Sequence, residues 1–385
     1  MRNLFITGWQ RSGTTLLARS INAHPHIVVL NQPLFPFFKM CRNKFYKDIQ
    51  SLDIDENLPI SEDFFIGNTT NKTFSSHLTN LSFNKEEIAK LKCYIIEEQR
   101  NSSDMAPKII NFIEELVDGT YESVLFQLIS IMIKAYPKKN AEILGLKEAY
   151  CEKFIEPLIK SFNFDFKCIQ IIRDPRAVYA SRNYGNYLKS TNGKYPILFV
   201  IRNWRESVEY LISNSKYKDK YMFIKYENLV CKPEDSLSKI CDFLDVDFSA
   251  DLLDFDKFID GEGNQWFQNS SFESKSNGFN PDSLSRWEEV LSLQEIGLIE
   301  MLCKREMKYL DYKTTDNSFG LKDLSSFDEN EEDYVPWLKK YNYTLNEEEI
   351  KREIFRLFLL ENKSMINLEN LKDRFFATEE AFKYL

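Results

Sequence analysis

Histidine, paired cysteine, positive charge and long apolar runs are all scarce in this chain, and each scarcity removes a class of function. Three histidines occur in 385 residues, too few and too poorly placed for an evident metal site, and His24-Pro25-His26 reads as a turn flanked by imidazoles rather than a ligand pair. The seven cysteines, at 41, 93, 151, 168, 231, 241 and 303, are odd in number and form no C-x-x-C pair. That pattern predicts reduced thiols in an intracellular compartment, mostly small buried side chains. Acidic residues outnumber basic ones 59 to 50, a formal charge of −9, which argues against a broad nucleic-acid surface. Any anion site must then be a local cluster of cations. No apolar run approaches the ~20 residues of a membrane span, and the first strand pattern begins within three residues of Met1, which leaves no stretch for a leader before it. The expectation is a soluble, cytoplasmic protein with no membrane span, no nucleic-acid partner and no metal.

What is present is concentrated near the N-terminus. Leu4-Phe5-Ile6-Thr7 is a strand-like run that feeds into Gly8-Trp9-Gln10-Arg11-Ser12-Gly13-Thr14-Thr15, and a helical pattern follows. Two glycines with four residues between them, set between a strand and a helix, make a phosphate cradle: backbone N–H groups and the helix N-terminus favour an anion. A nucleoside-triphosphate loop needs Lys directly after the second Gly, and here Thr14 stands there. Arg11 places a bidentate cation inside the loop instead. These features predict an anionic nucleotide handled differently from ATP, and they disfavour a P-loop kinase.

Strand and helix patterns then alternate. Ile27–Leu30 is a strand, ending in Asn31-Gln32-Pro33 where α/β sheets put ligand loops. Residues 35–140 are mixed and largely helical. Ile143–Glu148 and Phe166–Ile172 are strands, and Asp174 and Pro175 cap and open a helix after the second. Arg173 at that strand end and Ser181 about two turns into the helix suit a second anion. A strand over Tyr221–Tyr226 and helices over Pro233–Leu244 and Leu293–Tyr309 follow. Such alternation predicts an α/β fold with a central parallel sheet and helices on both faces. Asp328–Asp333 reads as a solvated acidic run, and Asn346–Asn362 and Leu368–Tyr384 as two amphipathic helices.

The cradle together with Arg173-Asp174-Pro175-Arg176-Ala177-Val178-Tyr179-Ala180-Ser181 resembles the sulfotransferases that use 3′-phosphoadenosine-5′-phosphosulfate (PAPS), over roughly residues 3 to 312. Arg11-Ser12-Gly13-Thr14-Thr15 and Ala23-His24-Pro25 bring it closer to the tyrosylprotein and carbohydrate branches. The resemblance implies a P-loop three-layer sandwich in which Gly8, Arg11, Ser12, Gly13, Thr14 and Thr15 hold the 5′-phosphosulfate. It implies that Arg173 and Ser181 hold the 3′-phosphate, that Tyr226 meets the adenine, and that Ser271 and Arg286 belong to a cofactor flap. Lys147 and Ser271 fall where the family stabilises charge on the transferring sulfuryl group, and no metal is required.

The family's Glu base falls at Gln32, which cannot accept a proton. Three explanations stay open: a displaced base such as Glu148, His26 or a carboxylate of the middle segment, an acceptor that needs little deprotonation, or PAPS binding without efficient turnover. The expected function is sulfuryl transfer from PAPS to a hydroxyl of a carbohydrate, lipid, peptide or small molecule, and the alternative is a non-catalytic PAPS- or nucleotide-binding relative. The expected organisation is a sulfotransferase domain over 1–315, with 35–140 as a helical substrate-side insertion, an acidic linker over 316–340 and a small helical C-terminal extension over 341–385.

Overall fold

Leu4, Phe5 and Ile6 are apolar without alternation, which suits a strand covered on both faces, and all three are fully buried in β1 (Arg2–Gly8). The computed structural model describes residues 1–52, 54–56, 58–60, 71–161, 164–186, 188, 193–267, 278–315, 319–324, 327, 329–339, 343–363 and 375–385. They fall into two compact units, the first chiefly Met1–Ile171 with Asn214–Gln268, the second chiefly Ile172–Ser213 with Asn280–Leu385.

Six further strands follow β1: β2 (Ile27–Asn31), β3 (Ser82–Phe83), β4 (Gly119–Thr120), β5 (Ile143–Ala149), β6 (Phe166–Ile172) and β7 (Tyr221–Lys225). The main sheet has five strands in the order β2-β5-β1-β6-β7, so the central parallel sheet expected from the sequence is present. β1 pairs in parallel with β5 and β6, and β2 pairs in parallel with β5. The chain leaves β1 through the helix Thr14–Ala23, passes to β2 at the edge, and later returns to insert β5 between them. That topology brings the carboxyl ends of β1, β5 and β2 side by side, where open α/β sheets bind ligands.

Segment 35–140 builds the same core as the sheet. Phe37 and Phe38 of the helix Phe35–Lys44, Leu91 and Ile95 of Lys85–Arg100, and Tyr121 and Leu128 of Tyr121–Ala135 share one buried cluster with Leu144, Leu146 and Phe166. Both longer helices start where the sequence caps them: Asn84 and Glu87 form a reciprocal capping box, and the Thr120 hydroxyl accepts from Ser123 N.

In the second unit the helix Ile197–Asn214 is tied to Glu347–Glu361 by buried charge. Arg202 Nε donates to Glu353 Oε1 at 2.7 Å and a second guanidinium nitrogen pairs with Glu349; Arg205 Nη1 meets Glu353 Oε2 at 2.7 Å. Arg356 Nη2 bridges Glu209 Oε1 at 2.9 Å and Glu306 Oε1 at 2.5 Å. Burial opposes ionisation of Glu353, yet Arg205 and Arg202 hold its carboxyl well below the usual carboxylate range. Glu349, Glu353 and Arg356 form one stripe at helical spacing, and that stripe faces inward.

Four local expectations are corrected. β7 ends at Lys225 and Tyr226 opens the helix Tyr226–Cys231. The helix expected over 293–309 breaks at Cys303 into Leu293–Leu302 and Lys304–Tyr309. Of the helix expected over 368–384, residues 368–374 lie outside the described ones; the described part is not helical over 375–378 and becomes so at Glu379, where the Thr378 hydroxyl caps Glu379–Tyr384 by accepting from Ala381 N. Glu329 of the acidic run is half-buried while residues 330–333 are exposed: its carboxylate accepts from Ile197 N at 3.0 Å and Tyr334 OH at 3.0 Å, and desolvation raises its pKa to about 7. Among the described residues no helix is long and apolar enough to cross a membrane.

Replacing Glu353 by Gln leaves buried guanidinium charge uncompensated, and urea unfolding should show a loss of about 3–5 kcal/mol. Lys351→Ala, which removes only an exposed pair with Glu347, should stay within ~0.5 kcal/mol of the parent.

Candidate functional site

The loop after β1 is shaped by contacts that admit no side chain at its two glycines. A Cβ on Gly8 would lie 2.3 Å from the Ile171 carbonyl oxygen. Gly13 has φ +95°, and a Cβ there would lie 2.3 Å from the Tyr226 ring, so Tyr226 is pressed against the loop. Gly13 is also the N-cap of the helix Thr14–Ala23, with no side-chain cap and no acidic residue in the first turn. The first-turn N–H groups are therefore offered outward, and the macrodipole adds partial positive charge. Ser12 is fully buried and among the described residues its Oγ has no hydrogen-bond partner. An orphan hydroxyl costs about 1–3 kcal/mol unless a ligand satisfies it, and an anion seated on the loop would do so.

Three adjacent strands are each followed by a non-glycine residue in the left-handed region: Arg11 (φ +63°) after β1, Tyr150 (φ +63°) after β5 and Gln32 (φ +51°) after β2. Each such residue costs about 1–3 kcal/mol and persists only where its surroundings hold it. Gln32 N donates to Lys147 O at 2.7 Å, and Gln32 O accepts from Gln99 Nε2 at 2.9 Å. Gln99 is fully buried and its Oε1 also accepts from Ala106 N at 2.6 Å. Tyr150 OH donates to Gln10 Oε1 at 3.0 Å, and its ring packs edge-on against Trp9. These three positions lie past the ends of adjacent strands, and the surrounding hydrogen bonds and ring packing hold them in that conformation.

Lys147 and Glu148 occupy the end of β5. In register, Lys147 is opposite Ile6 of β1 and Asn31 of β2, and these three share a face of the sheet; Glu148 points to the other face. Lys147 is 3% exposed, and among the described residues its ammonium makes no hydrogen bond or ion pair. Burial, partly offset by Glu148, lowers its pKa to about 8. A displacement of that size corresponds to roughly 3 kcal/mol, a large share of the ~5–15 kcal/mol stability of a typical domain. The surface ion pair with Glu148 that would make Lys147 ordinary is not formed. Glu148 is fully buried, its Oε1 accepts from Leu34 N at 2.5 Å and its Oε2 has no hydrogen-bond partner among the described residues. Burial pushes its pKa well above the usual carboxylate range.

In the second unit, Arg173 and Ser181 are 6% and 1% exposed. Arg173 Nη2 donates to Ser283 O at 2.9 Å, and Arg173 O accepts from Trp204 Nε1 at 2.8 Å. Asp174 caps the helix Pro175–Asn183 by accepting from Arg176 N, and its carboxylate takes the Arg176 guanidinium at both oxygens. Arg176 in turn reaches Glu300 Oε1 at 2.6 Å and lies 4.0 Å over the Trp287 ring. Arg176 therefore fixes the turn that presents Arg173, and it is Arg176 that stacks on Trp287 beside the half-buried Arg286.

The first unit thus brings together Gly8, Arg11, Ser12, Gly13, Thr14, Thr15, Lys147, Gln32 and Tyr226; Arg173, Ser181 and Arg286 belong to the second. Ser271 lies outside the described residues. His26 is removed from the base candidates: it precedes β2, and at ~3.3 Å per residue it stands about 16 Å from the carboxyl end where Gln32 sits. His24 is a turn residue, with Nε2 facing Asp247 O at 2.9 Å and Nδ1 accepting from His26 N at 3.1 Å. Sequence reasoning missed Gln99 and Tyr150. Neither matches a motif, and only the positive φ angles they support reveal them.

A family model described as "Sulfotransferase family" matches residues 3–250. Carbohydrate sulfotransferase 3 of Tetronarce californica is 21% identical over 355 residues, covering 84% of this chain and 76% of that protein. Carbohydrate sulfotransferase 1 of Mus musculus is 22% identical over 371 residues, covering 87% and 85%. Among solved structures, a sulfotransferase domain from the curacin biosynthetic pathway aligns with a TM-score of 0.48 at 19% identity, over 82% of this chain and 99% of that one. The family match takes in the loop, Lys147, Arg173, Ser181 and Tyr226 and spans well over half the sequence: the chain belongs to the sulfotransferase family.

Proposed function

We propose that this sulfotransferase takes its sulfuryl group from PAPS, needs no metal to bind it, and delivers it to a hydroxyl of a carbohydrate or another hydroxyl-bearing acceptor. The observation that carries the reading is Lys147, a buried cation at the end of the strand beside the anion loop that makes no hydrogen bond or ion pair among the described residues. A site that holds such a charge at a cost of several kcal/mol has a use for an anion, and a divalent metal beside it would add repulsion. Loop amides, Arg11 and the Ser12 hydroxyl are assigned the 5′-phosphosulfate, and Arg173 and Ser181 the 3′-phosphate. Tyr226 is assigned the adenine. The names of the relatives make carbohydrate hydroxyls the first acceptor class to test. The free cysteines belong with an intracellular setting in this proposal.

In-line sulfuryl transfer resembles phosphoryl transfer, with a loose transition state and charge spread over peripheral and leaving oxygens. Fixed cations and N–H donors that need no reorganisation stabilise that charge. Lys147 supplies the cation, and burial, which weakens its charge in the free protein, strengthens its attraction to an anion once one is bound. Non-catalytic nucleotide binding is the weaker reading, because a scaffold gains nothing from an unpaired buried ammonium.

Calorimetry should detect 3′,5′-adenosine bisphosphate (PAP) binding with a chelator present, and absence of binding would remove the PAPS assignment. Lys147→Met should lower kcat by ~10²–10³-fold while PAP affinity changes far less. With labelled PAPS and a panel of oligosaccharides and tyrosyl peptides, kcat/KM should fall above pH 8, because the Lys147 ammonium of the free enzyme, with a pKa of about 8, loses its proton there. Lys147→Arg should extend activity beyond that limb.

A further inference from the structure

Gln32 leaves the acceptor's proton without a recipient at the position where the family resemblance puts a carboxylate. The register of the sheet shows where a carboxylate went. Asn31 of β2 is opposite Lys147 of β5, so the next residues along, Gln32 and Glu148, stand at neighbouring strand ends, and adjacent strands lie ~4.8 Å apart. The Glu148 carboxylate reaches to the β2 side, because its Oε1 accepts from Leu34 N at 2.5 Å, two residues beyond Gln32. Its Oε2 is buried and has no hydrogen-bond partner among the described residues. No cation pairs with it among the described residues, so it is not half of a structural ion pair.

We propose that Glu148 replaces the missing carboxylate at position 32 and is the group that takes the acceptor's proton. The reading rests on the PAPS-dependent transfer proposed above. The acceptor oxygen forms a bond to sulfur as the bond from sulfur to the phosphate oxygen of PAPS breaks, and that electron pair leaves with PAP. The hydroxyl proton passes to Glu148 Oε2, the oxygen that lacks a donor, and afterwards to water. Oε1 stays on Leu34 N, which fixes the carboxylate's orientation through the cycle. Gln99, holding the Gln32 carbonyl, keeps the neighbouring turn in place.

The groups that face Glu148 fit this task. Lys147 precedes it on β5, Cys151 follows it, and Glu98 approaches from the helix Lys85–Arg100. Burial and Glu98 favour the protonated carboxyl, while Leu34 N and Lys147 favour the carboxylate. The balance raises its pKa well above the usual carboxylate range, so Glu148 must lose its own proton before it can take the acceptor's, and the acid-side limb of the pH profile is the readout of that step. Glu98 has a raised pKa through its own burial, but it has no contact with the turn at Gln32 comparable to the Leu34 hydrogen bond.

Glu148→Gln separates the proton role from the positioning role, because the amide oxygen still accepts from Leu34 N but cannot accept a proton. Wild type, Glu148→Gln and the double variant Glu148→Gln/Gln32→Glu are compared by PAP calorimetry, thermal unfolding and turnover with labelled PAPS and the oligosaccharide and tyrosyl-peptide probes. The expected result for Glu148→Gln is an unchanged PAP affinity, a kcat lower by ~10²–10⁴-fold and loss of the acid-side limb of the pH profile. Adding Gln32→Glu, which returns the carboxylate to β2, should recover at least about tenfold of that loss, within the range a general base supplies. Glu148→Gln with turnover and acid limb both retained overturns the proposal, as does a loss of turnover that parallels loss of PAP binding or folding. Wild type that binds no PAP, or binds it and turns over no probe, overturns the underlying reading as well, and that failure is visible before any variant is made.

Discussion

Parallel pairing of β2, β5 and β1 is the constraint on which the candidate site depends. Each strand contributes one end, and the register decides which side chains share a face there: Ile6, Lys147 and Asn31 on one, Glu148 on the other. A shift of one residue in β5 would exchange Lys147 and Glu148 between faces. The apolar run on both faces of β1 and the buried pattern of β5 specify the register, so the charge pattern at the strand ends is fixed by the packing of residues several positions away. Three left-handed residues just past the strand ends show that the loops are held against their local preference by that same frame.

The two units bury charge in opposite ways. In the second, Arg202, Arg205, Arg356, Glu209, Glu306, Glu349 and Glu353 compensate one another, so the desolvation cost is offset by short charge-assisted hydrogen bonds. In the first, Lys147 and Glu148 are buried as completely but are not paired with each other. Pairing makes a fold specific; leaving groups unpaired keeps their charge available to something that arrives later. The contrast is between side chains joined in ion pairs and two that form none among the described residues, although individual atoms of Arg202, Arg205, Glu306 and Arg356 also lack a partner there.

Much of this was legible in the sequence where a single local rule sufficed. The Gly8 and Gly13 spacing, the Asp174-Pro175 cap and the continuous apolar strands each have one dominant cause, and the helix Thr14–Ala23 and strand β6 fall where those causes place them. What escaped depends on distant partners. The amphipathic pattern of Asn346–Asn362 does not show that Glu349, Glu353 and Arg356 are buried, because nothing within the helix announces Arg202 and Arg205 some 150 residues earlier. Gln99 carries no motif at all, and its role follows only from the backbone of Gln32 that it holds.

The buried ion network also imposes an order of events during synthesis. Arg202 and Arg205 emerge from the ribosome long before Glu349 and Glu353, their partners, and unpaired guanidinium groups resist desolvation until those carboxylates arrive. The first unit, whose strands are complete with β7 and whose buried residues run on to Trp266, can consolidate while the second is still waiting. The nascent chain is therefore expected to carry an unfinished, water-accessible helix over Ile197–Asn214 for much of its elongation. That interval is when chaperones and proteases would meet this protein.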